Sequence, residues 1–338
     1  MNKVLLNTMN LDGGYIIKKG SGGGNSGGGG SSSGGGGWTG HADAEGLKAI
    51  GWTDEDIAYY QATGVNWNEE DDEYHKVSDD NKALYGVLTI NNISSYRGRI
   101  VYLPKIDTSD VTTLNGAFYD CQALVAIPML DTSKVTNMGN LFYNCYSLVS
   151  IPLLDTSKVT NMCSMFFFCC SLVSIPLLDT SNVTNMNDTF GYCYSLVSIP
   201  LLDTSKVSYC SRTFFNCHSL VSVSLPNTSQ ATQYGNTFGS CYSLTSVVCD
   251  VKSADSLNNI FSVCMSLSDV KVKNLNHQLD LQFSPLLTKE SLLYIINNEV
   301  AKSSYKITLA SYAYSRLAND ADVVAALENH PRISLASA

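Results

Sequence analysis

The chain has 338 residues, of which 44% are hydrophobic and 15% charged, and its formal net charge is −9. This acidic balance argues against a nucleic-acid partner, because neutralising phosphates requires clustered Lys and Arg. The sequence contains no run of about 18 apolar residues, so no membrane span is expected, and residues 1–12 lack the continuous apolar core of a secretory signal.

The first segment, residues 1–19, contains two strand-like runs joined by Asp12-Gly13-Gly14. Asp-Gly favours a hairpin turn, and a two-stranded ribbon alone is marginally stable. The segment is therefore either a frayed terminus or a docking hairpin that pairs with the sheet edge of another protein. The docking residues would be Val4, Leu5, Leu6, Tyr15, Ile16 and Ile17.

Residues 20–37 are almost entirely Gly and Ser, and they form a Gly/Ser-rich stem. As a random coil this stem would span roughly 24 Å. Alternatively, several such stems could pack side by side in a symmetric assembly, because no side chain keeps them apart.

Residues 38–106 are predicted to form an acidic, helical N-terminal cap. Positions 41–80 hold 12 Asp and Glu against 2 Lys, a net charge of −10. Thr53, followed by acidic residues, is typical of a helix start. The acidic run 69–73 could attract a divalent cation, but it lacks the spaced ligands and glycine of a calcium loop. A solvated acidic turn is therefore favoured, and no metal site is predicted.

A repeat of 24 residues dominates positions 107–272. The tripeptide Asp-Thr-Ser begins at Asp107, Asp131, Asp155, Asp179 and Asp203. Phenylalanine, cysteine and leucine recur in the same register through position 267, with one final step of 23 residues. Self-similarity at this period predicts a leucine-rich-repeat-like solenoid. About seven coils would stack to a length of roughly 30 to 35 Å.

One unit shows what each coil should contain. Val135, Met138, Phe142 and Cys145 are spaced 3, 4 and 3 residues apart, which predicts one or two helical turns. Leu148 and the residues up to 153 follow the L-x-x-L-x-L pattern of a short strand. Prolines at 128, 152, 176 and 200 each remove a backbone donor from that strand, so the sheet should be narrow.

The repeating cysteines are expected to form an inward structural ladder, because a thiol is small and apolar and fits where neighbouring coils come close. A metal or redox role is the weaker alternative, and no cofactor is predicted. The ladder consists of Cys121, Cys145, Cys169, Cys193, Cys217, Cys241 and Cys264.

The repeat unit Ser-Leu-Val-Ser-Ile-Pro-Leu-Leu-Asp-Thr-Ser-Lys-Val-Thr-Asn-Met resembles the BspA-like leucine-rich repeat family of bacterial surface proteins. The resemblance covers position 107 to about 272. It implies repeats that bind ligands and mediate adhesion rather than catalysis. Family members usually carry export signals or lipid anchors, and this chain departs from them there.

Residues 273–338 are predicted to form an α/β C-terminal cap over the open end of the solenoid. Positions 278–283, 306–309 and 332–335 are strand-like. Thr288 with Glu290 favours a helix through about position 301, and a second helix is predicted over about 312–329. The fold class is thus an α/β repeat solenoid with small capping modules at both ends.

No catalytic constellation is found. The five histidines are scattered among different segments, and no phosphate loop, H-E-x-x-H or G-x-S-x-G motif occurs. The chain is therefore predicted not to be an enzyme.

Two aromatic columns are the best candidates for a ligand or partner surface, because exposed aromatic rows suit flat partners such as a sugar face, a protein or a neighbouring subunit. Alternatively, the rings only coat the surface and stack on each other. One column follows the ladder cysteine and the other precedes it by two residues, so both should point outward. They contain Tyr146, Tyr194, His218 and Tyr242, and Tyr119, Tyr143, Phe167 and Phe215.

An adhesin-like repeat without an evident export signal suggests a protein that leaves the cell by lysis. The favoured interpretation is a phage virion fibre, of tail or head, and trimeric by analogy only. Its N-terminal segment would dock on other virion proteins, and its repeats would bind a host-surface protein or glycan. The alternatives are a BspA-like adhesin on the bacterial cell surface and an intracellular protein-binding scaffold.

Overall fold

The computed structural model describes residues 108–300 and 303–338, together with positions 93, 97, 100, 103 and 106. The predicted docking hairpin with Val4, Leu5, Leu6, Tyr15, Ile16 and Ile17 lies outside the described residues. So do the Gly/Ser-rich stem and nearly all of the acidic cap.

The repeats stack on one another at the period of the sequence. Isolated parallel bridges join Thr113 to Asn137, Asn137 to Asn161, and so on through Gln233 and Ser256. The backbone N–H of Leu114 donates to the carbonyl of Asn137 at 2.9 Å, and that of Met138 donates to Asn161 at 3.0 Å. Each coil therefore satisfies backbone groups of its neighbour, as a solenoid requires.

The predicted helical turns within the repeats are not observed. Positions 138–145 form successive tight turns, in which Leu141 donates to Met138 at 3.2 Å and Cys145 to Phe142 at 3.0 Å. Asn140 and Asn144 have φ angles of 53° and 60°, in the left-handed region. The two left-handed residues, four positions apart, interrupt a helix, and every second N–H group from Met138 to Asn144 bonds to a carbonyl of the next coil instead. The spacing of 3 and 4 arises from these repeated turns.

Within the described repeats, strands form only in the coils that follow the last coil with a proline between its strand leucines, the one that carries Pro200. The parallel sheet β1-β2-β3 contains β1 (Ser222–Leu225), β2 (Ser246–Asp250) and β3 (Asp269–Lys273). Ser224 stands 24 positions after Pro200 and pairs with Val248. No strand is assigned to the described coils that carry Pro128, Pro152, Pro176 or Pro200. This agrees with the expected narrow sheet, because proline cannot donate to a ladder.

The C-terminal segment is a second parallel sheet with helices beside it. Its elements in chain order are β4 (Leu279–Leu281), α1 (Lys289–Asn297), β5 (Tyr305–Leu309), α2 (Ser311–Leu317), α3 (Ala321–Asn329) and β6 (Ile333–Ser337), with sheet order β4-β5-β6. The predicted long second helix is two helices, because Asp320 accepts from the N–H groups of Asp322 and Val323 and so begins α3 anew. The side chain of Ser291 in α1 accepts from the N–H of Val270 in β3 at 2.9 Å, which joins this segment to the last repeat.

The core is a stack of identical residues rather than a mixed cluster. Neighbouring rings of the phenylalanine ladder lie 5.4 to 5.8 Å apart, centroid to centroid, and within 14° of parallel. Each ladder thiol from Cys145 onward donates to a phenylalanine carbonyl one coil earlier, as Cys145 does to Phe118 at 3.1 Å. The phenylalanine ladder comprises Phe118, Phe142, Phe166, Phe190, Phe214, Phe238 and Phe261, all buried, as are the seven ladder cysteines.

Candidate functional site

The predicted column of Tyr119, Tyr143, Phe167 and Phe215 consists of one stack of three rings and, beyond Gly191, a separate ring. The rings of Tyr119 and Tyr143 lie 4.7 Å apart, and those of Tyr143 and Phe167 lie 5.0 Å apart. The next coil has Gly191, and the Phe167 ring covers it so closely that a Cβ there would meet ring carbons at 2.8 Å. Phe167 is therefore only 8% exposed, which differs from the outward orientation predicted for it.

Phe215 repeats this arrangement two coils later. Its ring would lie 3.0 Å from a Cβ built on Gly239. The glycines thus let a ring from the preceding coil lie flat against the backbone.

The second predicted column is aromatic except at Cys170, which separates Tyr146 from the rest. The His218 ring lies between Tyr194 and Tyr242, with centroids 4.7 and 4.6 Å away. Partial burial lowers the pKa of His218 below its usual value. The imidazole is therefore neutral at neutral pH and extends the row of rings. Tyr146 and Tyr242 are exposed, and Tyr194 and His218 are half-buried.

Two rings that join these columns were missed by the sequence analysis. Phe168 and Tyr192 are stacked on each other at 4.2 Å. Phe168 also meets Phe167 and Tyr146 edge-on, at 4.9 and 6.1 Å. Tyr192 meets Phe167, Tyr194 and Phe215 edge-on, at 5.2, 6.1 and 5.5 Å. The two columns therefore form one continuous surface.

We call this surface the aromatic platform. It consists of Tyr119, Tyr143, Tyr146, Phe167, Phe168, Tyr192, Tyr194, Phe215, His218 and Tyr242.

Phe168 and Tyr192 occupy an unusual backbone position for their type. Both have φ 62°, in the left-handed region. The equivalent position holds the small polar residues Asp120, Asn144, Asn216 and Ser240 in four other coils and Val263 in the last coil, all with positive φ. A side chain with a Cβ costs roughly 1–2 kcal/mol there, and Asn or Asp costs less because it bonds locally. One signal in the sequence could have revealed them: two aromatic residues stand at a repeat position that is otherwise held mainly by turn-forming residues.

An ion pair lies beside the platform. The guanidinium of Arg212 contacts the Asp188 carboxylate through two nitrogens, with Nη2 donating to Oδ2 at 3.0 Å and Nε 2.7 Å from Oδ1. This hydrogen bond raises the pKa of Arg212 further, and Tyr192 and Tyr143 are close enough to contribute. The pair provides donors and acceptors next to flat apolar faces.

The ladder cysteines do not supply reactive groups. Burial raises the pKa of Cys121 and of Cys264 to about 12, and it raises those of the other ladder thiols as well. The nucleophilic thiolate is therefore negligible at neutral pH. All eleven cysteines of the chain are described and are free thiols, and only Cys163 and Cys170 are partly exposed.

The described residues contain no group of three or more His, Cys, Asp or Glu side chains that could hold a metal ion. The chemistry available at the platform is thus stacking, burial of apolar surface and hydrogen bonding. Such a surface can bind a partner.

The repeats match one family of known sequences. The family described as "Mycoplasma protein of unknown function, DUF285" matches residues 89–195 and 149–251. The overlapping matches together span just under half of the chain. Comparison with curated proteins finds no match.

Several solved structures are similar to this chain, and by their descriptions they are leucine-rich repeat proteins. A leucine-rich repeat protein of T. pallidum is 28% identical, with TM-score 0.35, over 43% of this chain and 67% of its own. One from Bacteroides ovatus is 21% identical, with TM-score 0.28, over 47% of this chain and 41% of its own.

A leucine-rich cell surface protein of Faecalibacterium prausnitzii is 15% identical, with TM-score 0.31, over 61% of this chain and 59% of its own. The chain thus spans less than two thirds of the length of the last two proteins. By these descriptions, the chain is similar to leucine-rich repeat proteins. In the part of the chain that the structure describes, no helix is both long and apolar enough to cross a bilayer.

Proposed function

We propose that the chain is a non-catalytic binding protein that attaches to a cell surface through the aromatic platform. The observation that carries the proposal is the pair Phe168 and Tyr192, whose rings are held in left-handed backbone positions. Strain of this kind persists where the surrounding structure over-determines it, and it clusters at functional sites. Asparagine, already present at the same position in neighbouring coils, would avoid the strain.

The partner class that suits the platform is a glycan. The stacked rings form a continuous apolar surface with a repeat of about one coil, against which successive sugars can pack, while Asp188, Arg212 and the tyrosine hydroxyls can bond to sugar hydroxyls. A protein partner would also use exposed tyrosines, and it is the other outcome of the test.

The test replaces both strained rings by the residue found in the neighbouring coils, as Phe168→Asn with Tyr192→Asn. We expect this variant to remain folded, because the relieved backbone strain offsets part of the lost ring contacts, and to lose at least tenfold in affinity. The probe is an array of bacterial surface glycans, followed by calorimetry with the strongest binder. The matched control is Tyr312→Ala, which removes an exposed ring from α2 outside the platform.

A second variant, Tyr146→Ala with Tyr194→Ala and Tyr242→Ala, tests the outer column and should also weaken binding without unfolding the array. If both variants bind within twofold of wild type, the platform is only a coat. If the glycan array stays negative while intact cells treated with protease lose binding of the wild-type protein, the partner is a surface protein.

The biological setting we propose first is a phage virion fibre, with the repeats facing the host and residues 1–19 docked on other virion proteins. An adhesin on the bacterial cell surface is the second candidate, and the match to a family described from Mycoplasma is compatible with it. Mass spectrometry of purified phage particles and of cell envelopes distinguishes the two. Detection only in envelopes would overturn the fibre proposal.

A further inference from the structure

The strand side of the coils carries a second exposed surface that the aromatic platform does not use. Met129, Leu153, Leu177 and Leu201 follow one another at 24-residue intervals and are 50%, 59%, 63% and 65% exposed. We call this row the leucine stripe. Coils stacked about 4.8 Å apart place the four side chains in one line.

The stripe is exposed because of the prolines beside it. In β1, which has no proline, Leu225 alternates inward and is buried. In the proline-containing coils the next leucine is buried instead, as Leu154 is next to the exposed Leu153. The proline thus places an additional large apolar side chain on the outside of each coil.

We propose that the leucine stripe is a self-association surface on which a second copy of this chain packs face to face. The exposed apolar area is large enough for such a contact. The four stripe residues, with Val197 exposed at 45% in the last of these segments and Val221 exposed at 44% in the coil that follows, leave on the order of 500 Å² of apolar surface in water, near the top of the range for a monomer. Pairing two such faces would bury about 1,000 Å², the lower bound of a specific interface.

The charge around the stripe also permits a second copy to pack there. The segments that carry the stripe, such as 147–154 and 171–178, contain no charged residue, so two identical faces do not repel each other. The turns that follow carry both signs. Lys134 bonds to Asp110 of the preceding coil at 2.8 Å, and Lys158 and Lys206 follow Asp155 and Asp203. Positive and negative side chains thus both lie along the edge of the stripe, where a second copy would contact them.

The spacing between coils favours pairing with an identical chain. Two copies have the same spacing between coils, so the leucines of one can occupy the gaps between those of the other along the whole stripe. A two-fold axis makes such a contact self-complementary and closed. A glycan would not suit the stripe, because methyl groups offer it neither ring faces nor hydrogen bonds.

The experiment is sedimentation velocity of the full chain over a range of concentrations, for wild type and for Leu153→Ser with Leu177→Ser and Leu201→Ser. We expect a dimer for wild type and at least a tenfold weaker dimerisation constant for the variant. The matched control is Met265→Ser with Leu286→Ser, which removes side chains of similar exposure, 55% and 53%, outside the stripe. This control should dimerise like wild type.

Circular dichroism verifies that each variant is folded, and the single change Leu177→Ser, with a smaller loss, replaces the triple variant if that does not fold. A wild-type monomer at every concentration overturns the proposal, whether the stripe is then bare or covered by the N-terminal residues. A dimer or trimer that the serine variants leave intact overturns it as well. Glycan binding is measured separately, and it can fail without affecting this result.

Discussion

Replacing Phe190 by alanine would remove the middle ring of the phenylalanine ladder. Phe190 is 1% exposed and stacks on Phe166 and Phe214, each at 5.4 Å between centroids and within 8° of parallel. Its carbonyl also accepts the thiol hydrogen of Cys217 at 3.1 Å. The substitution leaves that carbonyl in place and removes the ring alone.

The expected loss follows from these contacts. A buried phenylalanine replaced by alanine costs about 3–5 kcal/mol through lost burial and the remaining cavity. Each aromatic stack adds about 0.5–1.5 kcal/mol beyond buried area, and Phe190 loses two of them. The free energy of unfolding should therefore fall by about 5 kcal/mol. Phe261→Ala removes a ring with one described stack, on Phe238 at 5.6 Å, and should cost about 1 kcal/mol less.

The assay is urea denaturation of the full chain followed by circular dichroism, with a thermal scan as a second measurement. A loss of about 5 kcal/mol corresponds to a fall in Tm of roughly 10–20 °C for an array of this size. A loss below about 2 kcal/mol at Phe190 would refute the argument that the ladder is the core. Equal losses at Phe190 and Phe261 would show that the second stack contributes nothing measurable.

Two further predictions concern equivalent positions with different surroundings. Among the described residues, the buried hydroxyl of Thr156 has no hydrogen-bond partner, whereas that of Thr180, one coil later, donates to the Asp203 carbonyl at 2.8 Å. Thr156→Val should therefore raise the free energy of unfolding by about 1 kcal/mol and Thr180→Val lower it by about the same, as measured in urea, and a matching sign for both would contradict this explanation. Iodoacetamide should label Cys163 and Cys170 in the native protein and the other nine cysteines only after unfolding, and peptide mass spectrometry that found a ladder cysteine labelled early would contradict the burial of that ladder.

The stacking of the repeats could be predicted from the sequence because the period is a direct record of it. Every coil contacts its neighbours through the same positions, so recurrence at 24 residues specifies which residues meet. The same logic predicted the inward cysteine ladder, whose seven members are buried. It also predicted the narrow sheet, since one proline per coil is enough to prevent strand pairing.

The local backbone could not be predicted in the same way. Apolar residues spaced 3 and 4 positions apart occur both in a helix and in successive turns that contain two left-handed residues four positions apart. The apolar pattern alone therefore does not distinguish the two structures. The difference lies in Asn140 and Asn144 and their equivalents, residues that tolerate positive φ. Phe168 and Tyr192 hide that signal, because aromatic residues at such positions do not resemble turn-formers.

The aromatic platform was predicted in part for a related reason. A column of like residues is visible in the sequence, but a ring that leaves its own column is not. Phe167 turns over Gly191 and becomes buried, which follows from the missing side chain in the next coil and not from Phe167 itself. Leu153 and its equivalents were passed over because the L-x-x-L-x-L pattern assigns that leucine to the interior.

The unpaired thiols of the interior have a consequence for how long the protein survives in an oxidising medium. While the array is closed, its buried thiols are protonated and inaccessible, so oxidants have little to attack. Once it opens, as many as eleven cysteines become available together, and mispaired disulfides would prevent the coils from restacking. Outside a reducing compartment, the half-life of the folded protein would then be set by the rate at which the array opens, and not by its equilibrium free energy of unfolding.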